Sequence, residues 1–252
     1  MLRLLRDGPR SGSSLITLEH AGETIVVALR RAPTARRFTL RVRFAARDAV
    51  LTMPQRASLR DARAFAERHA AWIAARLNRL PATIPFANGS IIPLRGVDHA
   101  LIHFPEKRGT VWTEAREDIE TGVALCVAGK AEHVHRRVQD HFKREARRDL
   151  EGAVARHTLA LGLPPRGVGL RDPVSRWGSC SATGSLNFSW RLVMAPPFVL
   201  DYLAAHEVAH LVHLDHSPRF WALARKLCQE TDCAEAWLSA HGAHLHKYGA
   251  KE

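Results

Sequence analysis

The stretch His206-Glu207-Val208-Ala209-His210, followed by His216, is the most informative part of this sequence. Two histidines four positions apart in a helix lie on one face, one turn apart, so both imidazoles can reach one metal ion. The carboxylate beside the first histidine is then placed to take a proton from a metal-bound water. The surrounding helix is largely apolar, with Leu200, Leu203, Ala204, Val208, Leu211 and Val212. The segment therefore predicts a buried helix with a metal site, and Pro196-Pro197 marks its start.

The spacing of the nearby histidines limits which of them can be a third ligand. His213 returns to the face of His206 but, at a rise of ~1.5 Å per residue, lies about 10 Å further along the axis. Metal–nitrogen bonds are about 2.0–2.1 Å long, so one ion cannot easily bind His206, His210 and His213 in an unbroken helix. His216 can bind only if the helix ends soon after His210, which the turn-forming residues 215–218 favour.

Two other ways of completing a metalloprotease site stay open at this point. The metzincin pattern has a glycine where this sequence has His213, and it needs a later methionine turn, whereas Met194 is the last methionine. The gluzincin pattern uses a downstream glutamate, which Glu230 or Glu235 could supply. His216 is the favoured third ligand. The alternative interpretation of the motif, a structural histidine pair without metal, is disfavoured because the surrounding helix is as apolar as expected of an active-site helix.

Length and composition limit the class of protein. The chain has 252 residues, of which 46% are hydrophobic and 25% charged, enough for one large or two small domains with a core. No apolar run of about 18 residues occurs, so no membrane association is expected, and residues 1–8 are too short and interrupted for a signal peptide. The four cysteines form no CxxC pair, which argues against a disulfide scaffold. We therefore expect a cytoplasmic protein.

The positive charge is concentrated near the N-terminus. The net charge is +12; residues 1–60 carry +8, from 12 Lys or Arg and 4 Asp or Glu, whereas residues 161–252 carry +1, from 9 and 8. Residues 37–44 alternate as a strand does, with apolar and polar faces. The apolar face has Phe38, Leu40, Val42 and Phe44, and the polar face has Arg37, Thr39, Arg41 and Arg43. A solvated sheet face is the simpler interpretation of these arginines, and a nucleic-acid surface is the alternative.

The N-terminal residues are predicted to form strands followed by a helix. The first 55 residues are rich in strand-forming patterns, with the turn Ala21-Gly22 between two of them. Ser58 is placed to cap a helix that runs to about residue 80 and is ended by Pro81 and Pro85. The residues expected to be buried on this helix are Phe65, Trp72, Ile73 and Leu77.

The next residues alternate between strand and helix patterns. Residues 83–127 are predicted to form hairpins, with turns at Asn88-Gly89, Arg95-Gly96 and Lys107-Arg108-Gly109. Residues 131–161 predict a long helix that buries Val134, Val138, Phe142 and Ala146. Its arginines are interleaved with acids, so a solvated surface is favoured over a DNA-binding one. Further strands are expected at residues 168–170, 176–180 and 186–193.

These patterns predict an α+β protein. An N-terminal, β-rich, basic region with helices is expected over residues 1–128. A zincin-like metalloprotease domain is expected over residues 129–252, with the HExxH helix beside a small sheet.

Several segments closely resemble the YgjP-like metallopeptidase family. They are Trp177-Gly178-Ser179-Cys180, Leu186-Asn187-Phe188, Arg191-Leu192, Tyr202, the HExxH motif and His216-Ser217-Pro218-Arg219-Phe220-Trp221. The resemblance is most specific over residues 176–221, and the chain is more distantly similar to SprT-like zinc proteases. It implies that His206, His210 and His216 bind Zn²⁺ and that Glu207 is the catalytic base. It implies a zinc metallopeptidase acting on proteins or peptides, without naming the substrate.

Other residues near the motif are candidates for supporting roles. Tyr202 and His213 could stabilise an oxyanion, although packing or support of a ligand is the simpler interpretation. Asp215 could orient a ligand imidazole or cap the turn. The segment Arg176-Trp177-Gly178-Ser179-Cys180 is expected to form a strand that holds substrate by β-addition, or a core hairpin. Cys180 is not expected to be a nucleophile, and His241, His244 and His246 are expected to lie in a polar tail.

Two alternative functions are compatible with the same residues. The first is a non-catalytic, metal-dependent binding module, for which the N-terminal arginines offer a contact surface for nucleic acid. Glu207 argues against it, because a structural metal site needs no general base. The second is a DNA-associated protease, by analogy with SprT-like enzymes, which the charge of residues 1–60 permits.

Overall fold

A computed structural model of the protein describes residues 14–43, 47–80, 82–173 and 176–249. The expectations for residues 1–8, Phe44 and Pro81 fall outside these ranges. The chain divides into two compact units, Met1–Pro81 and Ala82–Glu252.

The two compact units divide near residue 81, whereas the sequence predicts a domain boundary at residues 128 and 129. The reason is packing. Ile92, Leu101 and Leu125 lie in the same hydrophobic core as Phe142 and Trp190. The strands between residues 91 and 128 therefore belong with the unit that carries the HExxH helix.

The first unit combines a sheet with two helices. Its elements are β1 (Leu15–His20), β2 (Glu23–Ala32), β3 (Thr39–Arg43), β4 (Asp48–Pro54), α1 (Leu59–Arg68) and α2 (Ala70–Asn78). The strand order is β1-β2-β4-β3, and β2 pairs with β4 in parallel. Leu40 and Val42 pack against the core while Arg41 and Arg43 are exposed, which confirms the predicted alternation. Arg43 donates to Asp48 (2.7 Å), so part of the charge on this face is neutralised; nucleic-acid binding here stays a prediction.

The single helix predicted from Ser58 to about residue 80 is wrong. The cap itself is confirmed, since Ser58 Oγ accepts from the backbone N–H of Asp61 at 3.0 Å, an interaction that typically stabilises a helix by ~1 kcal/mol. The helix is interrupted at His69, where φ is −108° and ψ is 9°. The His69 ring Nδ1 donates to the Phe65 carbonyl at 2.8 Å, which offers that carbonyl a partner outside the regular helix pattern.

The interruption changes which side chains α2 buries. Ala70, Ile73 and Ala74 face the core. Because neighbouring helical positions point about 100° apart, the burial of Ile73 turns Trp72 outward. Trp72 is 43% exposed, with the Arg76 guanidinium 5.6 Å from its ring, so its predicted burial is wrong.

The second unit begins with a sheet of order β5-β6-β8-β7. Its strands are β5 (Ile91–Leu94), β6 (Val97–Phe104), β7 (Val111–Ala115) and β8 (Val123–Ala128). The hairpin at Arg95-Gly96 is confirmed, with both residues at positive φ. The other two turns join no neighbouring strands: Asn88-Gly89 precedes β5, and residues 107–109 connect β6 to β7 although β8 lies between them. The continuously apolar β8 is one of the two inner strands, where both of its faces are buried.

The helix α3 (Val134–Leu161) follows a short 3-10 turn, Ala131–His133. Its predicted apolar stripe is confirmed, since Val134, Val138, Phe142 and Ala146 are all buried. Gly162 ends it in the left-handed conformation at φ 65°.

The remaining elements surround the HExxH motif. They are β9 (Gly167–Arg171), β10 (Gly178–Cys180), β11 (Ser185–Ser189), α4 (Pro197–Ala209), α5 (Pro218–Leu227) and α6 (Thr231–His241). The small sheet has the order β10-β11-β9. The strand predicted over residues 186–193 ends at Ser189, whose hydroxyl accepts from the backbone N–H of Arg191. The chain leaves the sheet there and buries Trp190–Met194 as a 3-10 turn.

None of the helices within the described ranges has the length and apolar character that crossing a membrane requires.

Candidate active site

The helix α4 ends at the second histidine of the motif, His210, which is its C-cap residue. Its last residue is Ala209, and the backbone N–H groups of Val212 and His213 turn back to the Ala209 carbonyl at 3.1 and 3.0 Å. Pro218 begins α5, and Ser217 caps it. The helix end predicted from the sequence is confirmed, whereas Val212 lies beyond the helix and is 44% exposed.

The turn brings His216 next to His206 and His210. One nitrogen from each ring can be chosen so that all three lie within 4.8 Å of one another, and within the described ranges no other group of His, Cys, Asp and Glu does this. The Nε2 atoms of His206 and His216 are 3.2 Å apart. Burial, together with the neighbouring imidazoles, lowers the pKa of His206 to about 4. The ring is therefore neutral, which is the form that binds a metal ion.

His213 supports His210 through its backbone and not through its ring. The Nδ1–H of His210 donates to the His213 carbonyl at 2.8 Å, which leaves Nε2 with the lone pair. Asp215 accepts from the backbone N–H of Ser217 at 3.3 Å, and hydrogen bonding to Ser217 lowers the pKa of this carboxyl. Asp215 thus caps the turn, which is one of the two roles considered for it.

A hydrogen-bonded chain orients His206. The Tyr202 hydroxyl donates its proton to Glu235 Oε1 at 2.9 Å. The same hydroxyl lies 3.2 Å from His206 Nδ1 and can only accept there, so Nδ1 carries the proton and Nε2 is free to bind. Burial and Glu235 raise the pKa of Tyr202. Glu235, a candidate ligand in the gluzincin alternative, is therefore a partner of Tyr202, and Glu230 is exposed at the start of α6.

We expect the Tyr202→Phe and Glu235→Gln variants to bind metal more weakly by a factor of about 10 to 100, because the partner that fixes the His206 tautomer is lost or weakened. Competition with a chromogenic chelator measures this affinity. Glu230→Gln is the matched control, as an exposed glutamate near the start of α6, and should bind like the wild type. Equal affinity in all four proteins would show that the chain does not orient His206.

Aromatic side chains form one wall of the histidine cluster. The Phe220 ring is buried, stacks on His210 at 4.4 Å and lies 4.8–4.9 Å from the other two imidazoles. Trp221 lies 5.8 Å from His206 and from His216. The sequence patterns alone do not assign a role to either residue. The helix start at Ser217-Pro218 could have indicated their position, because it fixes which residues of the first turn of α5 face the site.

Glu207 is buried beside the histidines, with only 4% of its surface exposed. Burial raises its pKa to about 8, and the Arg176 charge and a hydrogen bond with the Cys180 backbone oppose this rise. Its Oε2 atom is buried without a hydrogen-bond partner among the described residues. A buried carboxylate oxygen without a donor is unfavourable. The orphaned oxygen fits a site completed by a cation and a water that donates to it.

Gly178 allows the close approach of β10 to Glu207. A Cβ atom at Gly178 would lie 2.3 Å from Glu207 Oε1 and 2.7 Å from its Cγ. The Trp177 carbonyl and the Ser181 N–H form hydrogen bonds with the chain of β11 and its start. In an antiparallel pair the residues in between alternate, so the backbone N–H and carbonyl groups of Gly178 and Cys180 point to the opposite edge of β10, where the small sheet has no further strand. This edge strand therefore faces the Glu207 carboxylate.

A cavity of about 330 Å³ lies beside Glu207. Its lining residues are Arg176, Trp177, Gly178, Tyr202, Leu203, His206, Glu207, Glu235 and Leu238. Of the predicted substrate strand, Ser179 and Cys180 do not line it. Burial raises the pKa of the Cys180 thiol, which disfavours the reactive thiolate.

The C-terminal histidines do not form the polar tail that the sequence predicts. They lie in α6 and in the 3-10 turn Gly242–Lys247. His246 is buried and stacks on Trp177 at 5.1 Å, and burial and Arg191 lower its pKa to about 4. The Arg191 guanidinium donates to the carbonyls of Leu245 and Tyr248 at 3.0 and 2.8 Å. These hydrogen bonds from the buried Arg191 hold the C-terminal segment in place. The local sequence does not indicate them, because Arg191 is far from this segment along the chain.

Comparison with known protein families identifies one that covers most of the chain. The family model described as YgjP-like, metallopeptidase domain, matches residues 36–241. Searches of curated proteins and of solved structures found no match. Because the matched range includes both the histidine cluster and most of the chain, the protein belongs to the YgjP-like metallopeptidase family.

Proposed function

We propose that the protein is a zinc-dependent endopeptidase with a zincin-like catalytic domain. The observation that carries this proposal is the cluster of three imidazole nitrogens within 4.8 Å, beside a buried carboxylate oxygen that lacks a partner. A purely structural site would not require that carboxylate, whose burial is unfavourable. We also propose a cytoplasmic location, which free cysteines in the described chain suit.

Different residues of the site are proposed to bind the metal, transfer the proton and orient the ligands. His206, His210 and His216 would hold the ion, and three imidazoles are a common ligand set of catalytic zinc. When bound, zinc supplies a Lewis acid that polarises the peptide carbonyl and lowers the pKa of water toward about 7. Glu207 Oε2 accepts the proton of the attacking water and returns it to the leaving amine. Tyr202 and the His213 carbonyl keep the first two imidazoles in the required tautomers.

The free edge of β10 is proposed to hold the substrate in an extended conformation. The polar backbone groups of Gly178 and Cys180 at this edge have no neighbouring strand in the small sheet. An extended peptide can add there as a further strand and place its carbonyl beside Glu207. The Cys180 N–H already donates a hydrogen bond to Glu207, so we expect the substrate to pair with the other backbone groups of this edge.

Metal removal tests this function directly. We expect the purified wild type to contain one zinc ion per chain by mass spectrometry and to cut an unfolded protein whose termini are blocked. A chelator should abolish cleavage, and added zinc should restore it.

Two variants separate the ligands from other histidines. His216→Ala should lose the ion and the activity, whereas His244→Ala, an exposed histidine in the C-terminal turn, should keep both. Cleavage that survives complete metal removal would refute the proposal. Zinc binding without cleavage of any substrate would favour the binding-module alternative.

A further inference from the structure

The cavity of about 330 Å³ lies on one side of the histidine cluster. Glu207 and His206 line it, but His210 and His216 do not. In the proposed function Glu207 returns a proton to the leaving amine, so that amine must lie near its carboxylate. The cavity is therefore on the side of the scissile bond that carries the leaving amine.

The walls of this cavity are apolar and held in place. Trp177, Leu203 and Leu238 line it. Trp177 stacks on the buried His246 at 5.1 Å, and Gly242 is so close that a Cβ there would lie 3.3 Å from the indole. A volume of this size is at the lower end of the range for ligand pockets, which are about 300–1,000 Å³. The cavity therefore has room for one apolar side chain of a substrate together with one small polar group of the same substrate.

Arg176 adds one cation to this cavity. Its guanidinium makes no ion pair or hydrogen bond with any residue in the described ranges, whereas Arg95 and Arg191 are bound to carboxylates. The other charged groups that line the cavity are Glu207 and Glu235, and Glu235 accepts from Tyr202. A guanidinium with free donors beside an apolar wall binds carboxylates through paired hydrogen bonds.

We propose, on the basis of the proposed function, that this cavity binds the substrate residue on the leaving-amine side and that Arg176 pairs with a carboxylate of the substrate. The carboxylate is either the free C-terminus of a peptide or the side chain of Asp or Glu. The substrates are thus peptides with an apolar residue and a negative charge just after the cut.

The test uses two pairs of peptides that share the same residues up to a leucine placed after the expected cut. The members of the first pair differ only in the C-terminus, which is a free acid or an amide. The members of the second pair are both amidated and carry either Glu or Gln after the leucine. We expect the wild type to prefer at least one carboxylate over its neutral match by about tenfold in kcat/KM, mainly through KM. The pair that shows the preference identifies the source of the carboxylate.

Variants at Arg176 connect the preference to this side chain. Arg176→Gln should reduce the ratio within the pair to about one while its zinc content stays unchanged, and Arg176→Lys should keep part of it. The ratio is informative even if Arg176→Gln is slower on every peptide through its effect on Glu207. Arg171→Gln is the matched control, since Arg171 is exposed on the far edge of the same sheet.

The outcomes separate this proposal from the proposed function. A wild type that cuts neutral and acidic peptides equally well overturns the role of Arg176 and leaves the peptidase intact. A preference that persists in Arg176→Gln also overturns it. A wild type that cuts no peptide and no unfolded protein refutes the proposed function, and this inference with it.

Discussion

The Glu207→Gln variant is expected to lose peptide cleavage by a factor of about 10² to 10⁴, the usual contribution of a general base, while it keeps its zinc. Glutamine matches the shape of glutamate but cannot accept the proton of the attacking water. Single-turnover assays with zinc-loaded protein measure the loss. Metal content by mass spectrometry shows that the histidine cluster is intact.

The stability of the same variant provides a second readout. In the metal-free protein, burial disfavours the charged form of Glu207, and its Oε2 has no partner among the described residues. Because its pKa is raised, Glu207 must take up a proton when the metal-free protein folds near neutral pH, and glutamine removes this cost. The variant is therefore expected to have a higher melting temperature than the wild type without metal, as is common where function requires an unfavourable buried group. Glu230→Gln serves as a comparison that removes an exposed carboxylate outside the site. If Glu207→Gln kept more than about a tenth of the activity, a different base would have to act.

The parts of the site that the sequence predicts are those set by local spacing. The helix carrying His206 and His210 follows from its apolar pattern, and its end follows from the turn residues before Pro218. The rise of a helix argues against His213 as the third ligand, and the turn-forming residues 215–218 favour His216. These features depend on neighbours within a few residues along the chain.

The supporting residues could not be predicted because they come from distant segments. Glu235 reaches Tyr202 across 33 residues, and Arg191 reaches the Tyr248 carbonyl across 57. The strand predicted over residues 186–193 is too long because all residues of the 3-10 turn Trp190–Met194 are buried, and a fully buried segment shows no periodicity that distinguishes a turn from a strand. The burial predicted for Trp72 is wrong for a different reason: the helix is interrupted at His69, and α2 buries Ile73 and turns Trp72 outward.

The Gly178→Ala variant is expected to lose about 10²-fold in activity, because the added Cβ would occupy the space of the Glu207 carboxylate. The nearest atoms to that Cβ all belong to Glu207, at 2.3, 2.7 and 2.8 Å, so the carboxylate or the strand must shift. Overpacking of this kind typically lowers the free energy of unfolding by about 1–3 kcal/mol. Zinc content should stay unchanged, since no metal-binding side chain is among those atoms.

A double mutant tests whether the effect acts through Glu207. Gly178→Ala should destabilise the wild type but have little effect in a Glu207→Ala background, where the clashing atoms are absent. Gly167→Ala is the matched control on β9 of the same sheet, because a Cβ there meets no atom within 4 Å. Chemical denaturation of the metal-free proteins measures both free energies. Equal destabilisation in the two backgrounds would mean that the strand itself requires Gly178. The contact between β10 and Glu207 would then not explain the effect of the substitution, and this contact would not position the Glu207 carboxylate.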